Sequence, residues 1–134
     1  MINPDICSDT EIASFVRAFY AKVRKDDLIG PIFNAHINDW EHHLSLLTDF
    51  WSSILRGSGR YSGTPMQKHV ALEELKPEFF ERWLKLFRET LNEQPNVALR
   101  ERASGAAQRI AQSLWYAWQM GKHPDKMPID LPPA

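Results

Sequence analysis

Apolar residues recur along most of this chain at steps of three and four, the period of a helix with one buried face. In the first stretch Ile12, Phe15, Val16, Phe19, Tyr20 and Val23 form a single stripe behind Ser8 and Glu11, which have the spacing of a capping box. That helix is expected to stop near Gly30-Pro31, leaving Phe33 as a core-lining aromatic after a turn. A second helix is predicted from Asn38, with Glu41 three residues on, burying His43 or Leu44 and then Leu47, Phe50, Trp51, Ile54 and Leu55. Gly57-Ser58-Gly59 ends it, and the segment through Tyr61-Ser62-Gly63 reads as a structured loop. Thr64 as N-cap, Pro65 at the first helical position and Gln67 at the third start a short helix that carries His69 and ends around Leu75.

Pro77 opens a fourth amphipathic segment with Phe79, Phe80, Trp83, Leu84, Phe87 and Leu91, and Pro95 closes it by removing a backbone donor. The last helix is expected from about Val97 to Met120. Its stripe begins with Ala103, Ala106 and Ala107, which permit close helix approach, and ends with Leu114, Trp115 and Trp118. No stretch alternates with period two for long enough to be a strand, so the fold class is all-α. Four of the nine prolines fall after residue 120. The chain is therefore expected to be one domain over 1–120 followed by a proline-rich, flexible tail over 121–134.

Composition narrows the function classes. A length of 134 residues suits one domain with its own core. A formal net charge of −1 disfavours nucleic acid and anionic membrane as partners. The single cysteine, Cys7, forms no internal disulfide, and neither a secretory signal nor a membrane-length apolar run is evident, so a cytoplasmic location is expected. Five tryptophans in so short a chain are ample material for a core; a surplus would suit a planar apolar ligand, although packing alone can absorb aromatics too.

There is no phosphate-binding glycine loop, no paired-cysteine metal site and no hydrolytic-zinc histidine pair. What remains is the set His36, His42, His43, His69 and His123. Neighbours on a helix diverge by about 100°, so His42 and His43 cannot both face inward, and the apolar series from Leu47 onward selects His43. His69 has two readings: an ordinary polar residue bonded to a nearby carbonyl, or a neutral imidazole donating to iron at the centre of a porphyrin. His43 is either a boundary histidine or a polar contact on the opposite side of the same pocket. Tyr20 and Trp83 sit on apolar stripes and need partners for their polar tips.

Laid out in order, these residues resemble the truncated haemoglobins, specifically the group III branch of the bacterial two-on-two globins. The resemblance runs from about Ile12 to Trp118. It rests on Phe19-Tyr20 with Val23-Arg24, Gly30-Pro31-Ile32-Phe33, the helix with Trp40, His43 and Phe50-Trp51, then Tyr61, Gly63, Pro65 and His69, and finally Phe79-Phe80, Trp83-Leu84 and Leu86-Phe87. It implies a two-on-two helical sandwich around a haem, haem b, with His69 as the proximal iron ligand. Tyr20, His43 and Trp83 would be the distal residues, with Phe33 and Leu47 against the haem or its ligand space. Arg60, Tyr61 and Lys68 lie near His69 in sequence and are the candidates to reach the acidic edge groups.

The resemblance also sets the functional expectation. Such a protein would bind dioxygen, nitric oxide, carbon monoxide or peroxide. Hydrogen-bond donors at Tyr20 and Trp83 would hold oxygen too long for delivery, which favours peroxidase-like or nitric oxide dioxygenase-like redox chemistry and requires an electron donor or reductase. The alternative is a reversible oxygen or nitric oxide store or sensor without turnover.

Overall fold

The computed structural model describes residues 6–59 and 75–131. Its helices are α1 (Asp9–Lys25), α2 (Gly30–His36), α3 (Trp40–Arg56), α4 (Pro77–Asn92) and α5 (Val97–Lys122). Among the described residues there is no strand, and no helix is long and apolar enough to cross a membrane.

The helix ends follow from local chemistry. Ser8 Oγ accepts from the Glu11 backbone N–H while Glu11 Oε1 accepts from the Ser8 N–H, so α1 opens on a reciprocal capping box. At α3 the cap is Asp39, whose side chain accepts from the His42 N–H, one residue later than the Asn38 start predicted from sequence. Gly57 closes α3 in the left-handed region at φ 69°, where a side chain would be strained. Asn96 caps α5 by accepting from the Leu99 N–H, and its amide donates to the Ile6 carbonyl and to Glu11 Oε2. One residue thus ties the start of the last helix to the start of the first.

The stretch around Gly30-Pro31 departs from the expected stop. Helix α1 ends at Lys25, and Gly30-Pro31 opens α2 instead of terminating a helix. Proline in the first turn of a helix lacks only an N–H that would have no intrahelical partner, and its fixed φ suits the helix. A Cβ on Gly30 would stand 3.0 Å from the carbonyl oxygens of both Val23 and Arg24, so only glycine lets α2 approach the end of α1 this closely. Asp26 holds the connection. Its carboxylate accepts from the N–H groups of Leu28 and Ile29 at 3.0 Å each and from Arg82 Nη1 of α4 at 2.7 Å. Burial pushes the Asp26 carboxyl up, but these hydrogen bonds outweigh it and hold the group below the usual carboxylate range.

The helices form two packed pairs, α1 with α3 and α4 with α5, and α1 against α4 joins them. This is the two-on-two sandwich that the resemblance implied. At the junction the core is a ring cluster. Phe15 meets Trp51 and Phe87 edge-on at 5.7 and 5.6 Å, Trp51 stacks on Phe87 at 5.2 Å, and Phe19 meets Phe87 at 4.9 Å. These rings are all buried and come from α1, α3 and α4. The small residues Ala103, Ala106 and Ala107 of α5 are buried in the same cluster.

A second cluster gathers Leu75, Phe80, Leu114, Trp115, Trp118 and Leu131. Residues 123–131 are not helical and run back along α5. The Gln119 amide donates to the Ile129 carbonyl and accepts from its N–H, and Gln112 accepts from the Leu131 N–H. Leu131 is thereby buried beside the two tryptophans.

Candidate functional site

Helix α3 carries two adjacent stripes with different fates. Leu44, Trp51 and Leu55 are buried against α1. His43, Leu47, Phe50 and Ile54, spaced by three and four, share the neighbouring face and are only half-buried. Similarly on α4, Phe80, Phe87 and Leu91 are buried while Phe79, Trp83 and Leu84 stay half-buried. Phe33 of α2 and Ile110 of α5 are half-buried apolar neighbours of the same core. Four helices therefore present apolar side chains that the described helices do not close over. Walls of this chemistry fit a planar apolar group with few polar requirements.

Two polar tips break that apolar surface. Tyr20, on α1, is 4 % exposed, and its phenol oxygen accepts a hydrogen bond from the Trp83 indole N–H of α4. Burial pushes the phenol up to about 12, and the bond from Trp83 only partly offsets this, so Tyr20 keeps its proton throughout the physiological range. Its own O–H stays a donor, polarised by the bond it accepts. Around it stand Phe19 at 4.6 Å, Phe33 at 5.9 Å, Trp40 at 6.1 Å and His43 at 6.4 Å between ring centroids, the His43 ring edge-on at 88°. Trp83 meets Phe19 at 5.3 Å and stacks on Phe87 at 5.3 Å, which fixes its plane.

Tyr20, His43, Trp83 and Phe33, singled out from sequence, thus share one neighbourhood, and Leu47 lies one turn beyond His43 on the same face of α3. Arg60, Tyr61, Lys68 and His69 lie outside the described residues. Sequence reasoning gave no role to Trp40, which touches both Tyr20 and His43. The signal was available: Trp40 and His43 are three residues apart and so are neighbours on a helix surface. Elsewhere, His36 bonds the Ile32 carbonyl and His123 packs against Trp118, neither of them at this site. Cys7 is buried, which raises its thiol and leaves it poorly suited to nucleophilic chemistry.

Comparison with known proteins is consistent with this geometry. The family model described as bacterial-like globin matches residues 4–115. The group 3 truncated hemoglobin of Campylobacter jejuni is 43% identical over 104 residues, spanning 75% of this chain and 82% of that protein. The crystal structure of group III truncated hemoglobin from Campylobacter jejuni matches with a TM-score of 0.78 and 38% identity, covering 90% of this chain and 96% of that one.

Proposed function

Because the chain belongs to the bacterial-like globin family, in its group III truncated haemoglobin branch, we propose that it holds a haem b through His69 and acts on small ligands beside Tyr20 and Trp83. When bound, the haem would supply an iron that binds small ligands and passes electrons from an external donor to dioxygen, peroxide or nitrogen oxides. The chain supplies the rest. Half-buried apolar residues of α3 and α4, with Phe33 and Leu47 among their neighbours, take up the macrocycle and exclude water. Arg60, Tyr61 and Lys68 reach its acidic edge.

The observation that carries the reading is the buried Tyr20 phenol, with Phe33, His43 and the Trp83 indole about it, inside an otherwise aromatic wall. A phenol O–H in so apolar a place is a ready donor to negative charge held beside it. Tyr20 presents its O–H, and Trp83, whose single N–H is directed at the phenol, polarises that group. His43, edge-on to Tyr20 and half-buried, sits where it controls access to these donors. Tight retention suits turnover, as peroxide reduction or nitric oxide dioxygenation with an external electron donor in the cytoplasm, better than oxygen delivery.

Titration of the purified chain with haemin tests the binding. A Soret band that forms with the natural chain and is lost in His69→Ala, with helical circular dichroism unchanged, is expected. No band in the natural chain overturns the proposal. Consumption of peroxide or nitric oxide by the loaded protein with a supplied reductant is the expected second result, and reversible binding without consumption would replace turnover with storage or sensing.

A further inference from the structure

We propose that Trp40, clamped by Arg24 and Asn34, is the positioning residue for His43, and so sets how readily a small ligand reaches Tyr20 and Trp83. The inference rests on the site proposed above and adds a control that lies outside it.

Trp40 is the first residue of α3, one turn before His43. Its ring meets the His43 ring at 5.7 Å and 90°, and the Tyr20 ring at 6.1 Å. The indole is held from two further sides. The Arg24 guanidinium, at the end of α1, lies over its face at 4.6 Å from the ring centre, within the range of a cation–π contact. Its Nε1–H donates to Asn34 Oδ1 at 3.2 Å, and the Asn34 amide in turn donates to the Arg24 carbonyl at 3.1 Å. Backbone and side chain of Arg24 thus both act on one indole, the first through Asn34 of α2.

The closed set Arg24, Asn34 and Trp40 joins three helices at the point where the distal face begins. Trp40 is half-buried and packs against the edge of the core, while Arg24 and Asn34, which hold it, are exposed. What the set does is hold a flat ring edge against one side of His43, while Tyr20 bounds another. An imidazole between two rings at right angles has restricted rotation about its side-chain bonds. Release of Trp40 widens that restriction. Arg17 and Glu41 also pin the first turn of α3 to α1 through two hydrogen bonds of 2.9 and 3.2 Å, but both side chains are exposed and that pair contributes little.

The test compares Arg24→Gln, Arg24→Lys, Trp40→Leu and Trp40→Phe, each alone and with His43→Leu. Carbon monoxide association after flash photolysis of the reduced, haem-loaded protein is the first readout. Loss of an exposed cation–π contact corresponds to a change of about two- to fivefold. Arg24→Gln is therefore expected to speed association by that factor and Trp40→Leu by more, with Arg24→Lys restoring the natural rate. In the His43→Leu background neither is expected to change it further. The second readout needs no haem: the ring-proton shifts of His43 in the full chain as purified are expected to move in Arg24→Gln and Trp40→Leu and to return in Arg24→Lys. Unchanged shifts, or rate changes that persist without His43, would overturn the assignment. Absence of a Soret band would instead refute the haem reading and leave the proton shifts to decide this one.

Discussion

Removing the hydroxyl of Tyr20 gives a prediction whose size follows from its surroundings. The group is buried, is pushed from its ordinary value near 10 up to about 12, and accepts the Trp83 indole N–H. At neutral pH Tyr20→Phe keeps the ring and its four aromatic neighbours but leaves that N–H without its acceptor, a loss of about 1–3 kcal/mol. At high pH the comparison changes sign. The folded chain holds the Tyr20 proton more tightly than the unfolded chain, so its contribution is fully present below about pH 10 and is lost as pH rises through the folded value. A difference between 10 and about 12 corresponds to about 3 kcal/mol. The natural chain should lose that much relative to Tyr20→Phe across this window, and the two stability curves should converge and then cross. Urea unfolding followed by far-ultraviolet circular dichroism gives the curves, and phenolate absorbance in the near ultraviolet gives the titration directly. The late-ionising component should vanish in Tyr20→Phe. A variant that removes a component titrating near the ordinary value, or a stability gap that stays constant with pH, would refute the burial that raises this group.

Asp26→Ala should destabilise the chain by about 2–3 kcal/mol at neutral pH, because the Leu28 and Ile29 N–H groups lose their acceptor and half-buried Arg82 loses a charged bond. Because the folded carboxyl is held below its usual range, that gap is present above the unfolded carboxylate value and should close as pH falls through the folded one; urea midpoints that stay apart in acid would contradict it. Gly30→Ala should cost about 1–3 kcal/mol, since the new methyl group meets two backbone carbonyls that have no side-chain freedom to yield, and it should also shift Phe33 relative to Tyr20. Unchanged thermal stability would show that α2 sits further from α1 than described.

What the chain made legible depended on periodicity. Helices α1, α3, α4 and α5 each carry enough apolar residues at steps of three and four for the buried face to declare itself, and their ends follow ordinary capping chemistry. Helix α2 did not announce itself because seven residues with only Ile32 and Phe33 as large apolar members give no stripe, and its proline was read as a stop. The Asn38 start misjudged two adjacent cap residues, where the Asp39 carboxylate captures the His42 N–H. For the site, the inward turn of His43 rather than His42 followed from helix geometry together with the apolar series that begins at Leu47. The Tyr20 to Trp83 bond could not be read the same way, because an apolar stripe does not distinguish a core tryptophan from one whose N–H meets a partner on another helix. Trp40 was passed over for a related reason: its role comes from Arg24 and Asn34, residues that a search for buried faces discards as surface.

The central claim, that Tyr20 and Trp83 hold a small ligand beside a haem, is tested most directly by the oxygen dissociation rate of the reduced, haem-loaded chain and of Tyr20→Phe and Trp83→Phe. Each hydrogen bond of about 1.4 kcal/mol slows release about tenfold when none of it survives in the transition state. Slow release from the natural chain, roughly tenfold faster release from Tyr20→Phe and a smaller acceleration from Trp83→Phe, which acts through Tyr20, is the predicted result. Equal rates in all three would contradict the account, since the two donors would then hold nothing.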